Sequence, residues 1–250
     1  MFETCGQICP CGFGILVSSE VSREREGSKV RRIFVDLEMN PVAKEYEEVK
    51  KTCSMETIEI GAVILDEDNR EIASFREYIR PDYSVDIRPG IQKLTGITWD
   101  MVEEAGRFSE VLERFVRWCG PQDYTIYSWS DNDIVQILQE TELKGVTDTE
   151  ELIYMYHHWK DFQQEYCGLF PMDHVMSLEK AMNYCGLDFP GRQHDGLNDA
   201  RATADMFRLI RDKDAFAGFE DAVLSYFRPT TFTLADALDL SAFAALVENG

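Results

Sequence analysis

Three short runs of β-branched and aliphatic residues lie close together near the start of the chain and constrain its fold more than any other feature. They are Arg31 to Leu37, Thr57 to Leu65 and Ser74 to Ile79. Their length and composition are typical of strands, and turn-prone segments such as Asp66 to Asn69 separate them. Three consecutive strands with short connections predict a β-meander that opens the domain.

Helical and strand patterns alternate after this meander. Apolar residues from Phe108 to Val116 follow helical spacing, and Tyr124 to Trp129 has the composition of a strand. That strand runs into Ser130 to Asn132, which are favourable helix-start residues, and two more helices are predicted over Leu178 to Tyr184 and Ala200 to Ile210. Strands followed by alternating units predict an α/β fold, a mixed sheet covered by helices.

The chain is long enough for one domain with two extensions. Its 250 residues, 44% of them hydrophobic, can bury a substantial core. Met1 to Ser28 has no sustained period and is predicted to be a loosely ordered leader. The domain is expected over Lys29 to Lys213, and Asp214 to Gly250 is predicted to be an acidic extension of one or two small helices.

The overall charge limits how the chain can meet a polyanion. A net charge of −21 argues against a protein that coats nucleic acid through a broad basic surface. The objection weakens if the acids hold divalent cations, because these bring counter-charge to a phosphate. Any contact with nucleic acid is therefore expected to be short and confined to the end of a nucleic-acid strand.

The cysteine count and the hydropathy pattern bear on location. Seven cysteines without a regular framework favour a reducing compartment over an oxidising one. No apolar run approaches the roughly 18 to 20 residues of a membrane span. We therefore expect a soluble, cytoplasmic protein without a membrane partner.

Acidic residues stand at the ends of two predicted strands and at the start of a later helix. Asp36 and Glu38 lie two apart on a strand and therefore share a face. Alone, this pattern is usually a pair of solvated acids. Asp133 follows the strand that ends near Trp129, and a loop containing glycine is expected to bring Asp199 to the first turn of a helix, five residues after His194. A crevice at the carboxyl ends of strands is the usual place for a site in an α/β sheet.

Three blocks of this sequence together resemble the DEDDh branch of the DnaQ-like 3′→5′ exonucleases. The blocks are FVDLEMN, YSWSDND and HDGLNDA, and the spacing H-x4-D marks the histidine branch. The resemblance extends through TIEIGAVILD and IQKLTGIT, covers Lys29 to Lys213, and is nearest to the KapD-like and histone-mRNA exonuclease group. It implies an RNase H-like mixed five-stranded sheet flanked by helices in a single exonuclease domain.

The resemblance also implies a role for each residue of the site. Asp36 would bridge two metal ions, Glu38 and Asp199 would complete the site of the ion that holds the attacking water, and Asp133 would support the cluster. Asp131 is the rival of Asp133 in the second block. His194 would be the general base, a role for which an imidazole is suited near neutral pH. The expected ions are two Mg²⁺ or Mn²⁺, which prefer oxygen ligands.

The expected substrate is single-stranded or 3′-overhanging nucleic acid, RNA in preference to DNA, cut to nucleoside 5′-monophosphates. The residues implied to contact it are Leu37, Met39, Leu94, Thr95 and Gly96, although Leu94 is equally explained as ordinary core. Two other functions stay open. One is a catalytically silent nucleic-acid-binding scaffold, and the other is a nuclease for very short oligonucleotides. The oligomeric state is left open.

Overall fold

The computed structural model describes residues 30–121, 123–170 and 175–227 of the chain. The leader predicted for Met1 to Ser28 and the part of the predicted extension beyond Phe227 lie outside these residues. No helix in the described ranges is long and apolar enough to span a bilayer.

A five-stranded mixed sheet forms the centre of the molecule. The strand pattern predicted a mixed sheet, and the family resemblance implied its five strands. The first three strands form the expected meander, since β1 pairs antiparallel with β2 and β2 antiparallel with β3. β4 then pairs parallel with β1, and β5 parallel with β4, which gives the order β3-β2-β1-β4-β5. The strands are β1 (Arg31–Pro41), β2 (Met55–Leu65), β3 (Glu71–Tyr78), β4 (Tyr124–Ser128) and β5 (Trp159–Asp161).

Helices cover both faces of this sheet. Alternate residues of β1 enter different cores: Ile33 packs with α3, α4 and α5, whereas Phe34 packs with α6, α7 and α8. This alternation follows from the two-residue period of a strand. The helices are α1 (Pro89–Thr95), α2 (Trp99–Val102), α3 (Phe108–Cys119), α4 (Asn132–Leu143), α5 (Glu150–His157), α6 (Phe162–Cys167), α7 (Leu178–Tyr184), α8 (Gly196–Arg211), α9 (Lys213–Ala217) and α10 (Glu220–Phe227).

Two of the boundaries that differ from the sequence prediction lie beside the acids. β1 continues four residues past Leu37 because β2 pairs with it as far as Pro41, across an irregularity after Glu38. α8 begins at Gly196 instead of Ala200, because Asp195 caps it through a hydrogen bond from the Asn198 amide to Oδ1, 3.1 Å long. The polar start of this helix carries no apolar period that would reveal it.

The start of α8 rests directly on β2 at Gly61. A Cβ atom built on Gly61 would lie 2.1 Å from the backbone carbon of Gly196 and 2.1 Å from the backbone nitrogen of Leu197. Backbone atoms cannot rotate away as the end of a side chain can. Gly61 is therefore required for the approach of α8 to the sheet.

Gly61→Ala should lower the melting temperature, because the added methyl group forces α8 away from β2. Overpacking typically costs about 1–3 kcal/mol, and a clash with backbone belongs at the upper end. Gly90→Ala is the matched control, since a Cβ there would meet nothing within 4 Å. Thermal denaturation of both variants tests the point, and equal melting temperatures would show that α8 does not need this close approach.

Candidate active site

Asp36 and Glu38 lie on the face of β1 that α8 covers. In the pairing with β2, Asp36 stands opposite Gly61 and Glu38 stands opposite Glu59. The side chain of Asp36 is partly buried, and Glu38 is only 7% exposed. β1 thus presents two carboxylates to the first turn of the helix that packs on it.

α8 and the loop before it bring Asp199 and His194 to these acids. His194 has a left-handed backbone conformation with φ of 58°, which is uncommon for a non-glycine residue. Its backbone amide donates a hydrogen bond of 3.0 Å to Asp199 Oδ2. The other oxygen, Asp199 Oδ1, is buried and has no hydrogen-bond partner among the described residues. The loop therefore orients Asp199 with one acceptor oxygen left available.

The first turn of α4 brings Asp133 to β1. Asp133 is 6% exposed, and its Oδ1 accepts a hydrogen bond of 3.0 Å from the backbone amide of Leu37, between the two acids of the strand. Asp131 is exposed and makes no side-chain cap of the helix. The structure thus places Asp133, and not Asp131, in contact with the strand that carries Asp36 and Glu38.

The side chains that converge here can hold a divalent cation. One ligand atom each from Glu38, His194 and Asp199 lies within 4.8 Å of the others. The unpartnered Oδ1 of Asp199 is one of the oxygens that a cation would satisfy. A donor set dominated by carboxylate oxygen fits Mg²⁺ or Mn²⁺ better than Zn²⁺.

The same crowding of acids changes how readily they ionise. Burial, and then repulsion by Asp133, Asp199 and Glu38, raises the pKa of Asp36 well above its ordinary value. Burial and the neighbouring Asp199 raise the pKa of Glu38 to about 8. Burial also raises the pKa of Asp133 to about 7 and that of Asp199 to about 6. A cluster that resists ionisation alone is one that a cation stabilises.

Comparison with known proteins decides the family. The sequence model of the RNase T exonuclease family matches residues 33–207. This range holds Asp36, Glu38, Asp133 and Asp199. The chain belongs to this exonuclease family. Membership of this family confirms the resemblance to 3′→5′ exonucleases that the three sequence blocks indicated.

Curated relatives of this RNase T family member include exoribonucleases and a bacterial exonuclease. ERI1 exoribonuclease 2 of Danio rerio is 31% identical over 177 residues, which cover 62% of this chain and 31% of the relative. The 3′-5′ exoribonuclease 1 of Rattus norvegicus is 26% identical over 170 residues, covering 63% and 47%. Probable 3′-5′ exonuclease KapD of Bacillus subtilis is 23% identical over 155 residues, covering 62% and 73%. The chain thus spans less than half the length of the two exoribonucleases.

Solved structures of nucleases share the fold. The nuclease domain of 3′hExo, a DEDDh family member solved bound to rAMP, matches with a TM-score of 0.62 at 22% identity, covering 76% of this chain and 96% of that domain. Cell-death related nuclease 4 matches with a TM-score of 0.59 at 20% identity, covering 74% and 64%. The RNase H-like fold expected from the sequence is confirmed.

A groove of about 520 Å³ adjoins His194 in this RNase T family domain. Its lining includes Lys93, Leu94, Phe189 and Arg192. Leu94 is 45% exposed, so its side chain is available to a ligand instead of lying in the core. The groove is open to solvent and large enough for one nucleotide, since ligand pockets begin at about 300 Å³.

The other residues expected at the substrate occupy different environments. Leu37 is buried in the core on the α3 side of the sheet, and the partly buried Met39 packs against the same core. The hydroxyl of Thr95 donates to the carbonyl of Ile91 at 3.0 Å, inside α1. Gly96 ends α1 with φ of 81°, and the guanidinium of Arg192 packs where a side chain would stand. Substrate contact by these residues stays a prediction.

Sequence reasoning missed Glu59 and its ion pair with Arg76, which lie directly behind the cluster. Glu59 is fully buried on β2, and Arg76 on β3 lies 2.7 Å from it, measured from Nε to Oε1. A signal was present, because Glu59 is a charged residue inside the apolar run Thr57 to Leu65. A buried charge is costly unless it is paired. The partner could not be read from the sequence, since it comes from another strand.

Asp133→Asn should reduce nuclease activity strongly, whereas Asp131→Asn should leave it close to that of the wild type. Asp133, in the first turn of α4, accepts a hydrogen bond from the β1 backbone between Asp36 and Glu38, while Asp131 is an exposed helix-start residue whose loss costs at most about 1 kcal/mol. Initial rates with saturating Mg²⁺ compare the two. The reverse ranking would mean that Asp131 is the acid that serves the site.

The metal-free protein should lose stability as the pH rises from about 5 to about 8. The raised folded-state pKa of Glu38, about 8, lies above that of an unfolded glutamic acid, about 4.3. Its contribution to stability is therefore complete below the unfolded pKa and lost as the pH passes the folded one. Saturating Mg²⁺ should flatten the fall, and Glu38→Gln should reduce it. Melting temperatures measured against pH test this, and an identical slope with and without Mg²⁺ would contradict it.

Proposed function

We propose that this chain is a divalent-metal-dependent 3′→5′ exonuclease that hydrolyses the last phosphodiester bond of an RNA strand and releases nucleoside 5′-monophosphates. The observation that carries the proposal is the convergence of Glu38, Asp199 and His194, whose ligand atoms lie within 4.8 Å of one another beside Asp36. Membership of the exonuclease family supports the same reaction.

Asp36, Glu38 and Asp199 would hold the cations, with Asp133 supporting them through β1. The ions proposed are two Mg²⁺ or Mn²⁺, which when bound supply positive charge to the scissile phosphate and make water more acidic. The solved structure of Pop2p from S. pombe, which shares the fold, is of a Mg²⁺- and Mn²⁺-bound form.

His194 is placed to accept the proton of the attacking water. It is exposed, in a loop that opens onto the groove, and its backbone is tied to Asp199. As the water oxygen bonds to phosphorus, the imidazole takes one proton from it. The bond from phosphorus to the 3′ oxygen of the preceding nucleotide breaks, and that oxygen takes a proton from solvent. The imidazolium then returns its proton to solvent, and the enzyme is unchanged.

The substrate we propose is a single-stranded or 3′-overhanging RNA end. The curated relatives named exoribonucleases support RNA, and so does a related 3′-exonuclease whose structure shows recognition of a histone mRNA stem-loop. Lys93 and Arg192 are the basic residues that line the groove, and the whole chain carries a net charge of −21. Attraction for phosphate is thus limited to the last nucleotides, which also favours very short oligonucleotides as substrates.

The cytoplasm is the location we propose for this activity. The described cysteines Cys53, Cys119, Cys167 and Cys185 are free thiols, as expected in a reducing compartment.

A degradation assay on matched RNA and DNA tests the proposal. The substrates are a dinucleotide, a pentanucleotide and a longer single strand of each chemistry, labelled at the 3′ end and incubated with Mg²⁺, Mn²⁺ or EDTA. We expect metal-dependent release of labelled nucleotide, faster from RNA, with little gain beyond the pentanucleotide. Binding without any release would instead identify a catalytically silent scaffold, and faster cleavage of DNA would overturn the substrate class.

A further inference from the structure

Arg76 joins two carboxylates that the proposed chemistry does not use. Its Nε lies 2.7 Å from Oε1 of the buried Glu59, and its Nη2 donates a hydrogen bond of 2.7 Å to Oδ2 of Asp195. The side chain of Glu59 is 0% exposed and that of Asp195 is 14% exposed, whereas Arg76 itself is 37% exposed. One guanidinium therefore connects β2 and β3 to the segment that leads into α8.

Asp195 lies between the two functional residues of that segment. It follows His194 directly, and its backbone carbonyl accepts a hydrogen bond of 2.9 Å from the amide of Asp199. Its Oδ1 caps α8 through the amide of Asn198, so Oδ2 is the oxygen left for Arg76. A shift of Asp195 must move both His194 and Asp199.

Other contacts fix the two ends of this segment, since Arg192 Nη2 donates to the carbonyls of Lys93 and Leu94 and Gly196 packs on Gly61. His194 adopts a left-handed conformation, which is uncommon for a non-glycine residue and persists where the surrounding structure supports it. Glu59, the other partner of Arg76, is anchored in the middle of β2 opposite Glu38. The ion pairs thus run from β2, through Arg76, to the loop that carries His194.

We propose that Arg76 is a positioning residue for the hydrolysis. Through its ion pair with Asp195 it holds the His194 loop and the first turn of α8 in the geometry that brings His194 and Asp199 to Glu38. This inference rests on the proposed function, which assigns the three residues to the reaction. Arg76 touches neither cation nor substrate in this scheme.

Stability is not the main effect of the partly exposed pair of Arg76 with Asp195. Ion pairs near the surface contribute little to folding. Arg76→Gln also leaves the buried Glu59 without its cation, a cost that Asp195→Asn avoids. Residues that orient metal ligands, in contrast, typically change metal affinity or activity by about 10–100-fold when they are replaced. The consequence of losing Arg76 should therefore appear in cation binding and turnover.

The chain offers a matched control in Arg201. Arg201 on α8 pairs with Glu71 on β3, Nη2 to Oε1 at 2.8 Å, with both side chains about one-third exposed. It thus also ties α8 to β3 with one guanidinium, but it does not contact Asp195. Arg201→Gln removes the same charge and the same kind of link between the same two elements.

The test compares Arg76→Gln, Asp195→Asn, their combination and Arg201→Gln. Asn keeps the capping oxygen of residue 195 but not its charge, so the fold of α8 is preserved. Mn²⁺ affinity is measured by titration calorimetry without substrate, and kcat and KM are measured on a short RNA. We expect both single variants to weaken Mn²⁺ binding and kcat by about 10-fold or more with KM nearly constant, and the double variant to be no worse. Arg76→Lys should recover part of the loss.

The two single variants change the local charge in opposite directions, which separates positioning from simple electrostatics. A purely electrostatic role predicts that Arg76→Gln strengthens Mn²⁺ binding while Asp195→Asn weakens it, and this result would overturn the inference. If Arg201→Gln lowered Mn²⁺ affinity and kcat as much as Arg76→Gln does, the inference would be overturned too. An inactive wild type whose Mn²⁺ affinity still follows the expected pattern would refute the proposed function and leave the positioning role standing.

Discussion

Replacing Glu38 with Gln should abolish nucleotide release and, at the same time, raise the melting temperature of the metal-free protein at pH 8. The side chain is 7% exposed and faces Glu59, and Asp199 repels it. Its removal takes a cation ligand away and also relieves repulsion among buried acids. Asp36→Asn and Asp199→Asn should change activity and stability in the same directions.

Glu77→Gln is the matched control for these variants. Glu77 lies on β3 and pairs with Arg114 on α3, 2.6 Å from Oε2 to Nη2, away from the cluster. This change should leave nucleotide release intact and should not raise the melting temperature. Normal turnover in any of the three site variants would remove that acid from the site. A loss of activity together with a lower melting temperature would point to misfolding instead.

His194→Ala should slow single-turnover hydrolysis by about 10²- to 10⁴-fold, the usual contribution of a general base. Mn²⁺ binding should survive, because Asp36, Glu38 and Asp199 remain. Loss of His194 should also remove the dependence of the rate on deprotonation of an imidazole, which must be neutral to accept a proton. Rates are compared across pH at saturating metal.

His157→Ala provides the control for this variant. His157 is exposed in the last turn of α5 and is not among the residues that converge on the acids. Its replacement should leave both the rate and its pH dependence unchanged. Retained activity in His194→Ala would show that another group takes the proton. Loss of Mn²⁺ binding would show that His194 serves as a ligand, which its position within 4.8 Å of Glu38 and Asp199 allows.

Local sequence patterns predicted the parts of the fold whose stabilising contacts are periodic. The meander and α7 follow from apolar runs that carry their own strand or helix signal, and α7 spans Leu178–Tyr184 as expected. β5 could not be located, because Trp159–Asp161 is too short to show a period and forms only by pairing with β4. The start of α8 was hidden because it depends on Asp195 and on the absence of a side chain at Gly61.

The acids of the site were visible in the sequence, whereas the residues around them were not. Asp36 and Glu38 share a face by the simple period of a strand, and the family blocks supply the others. The ion pair of Arg76 with Asp195 joins residues 119 positions apart. Phe189 and Arg192 reach the groove through a loop whose path no local pattern encodes. Contacts of this kind depend on tertiary structure and become visible only with it.

The most direct test of the exonuclease assignment is the order in which products leave an RNA strand labelled at both ends. With saturating Mg²⁺, the first labelled product should be the 3′-terminal nucleoside 5′-monophosphate, while the 5′ label moves down one nucleotide at a time. EDTA and Glu38→Gln should each stop both signals. Early internal fragments, release beginning at the 5′ end, or equal rates in EDTA would contradict a metal-dependent 3′→5′ exonuclease.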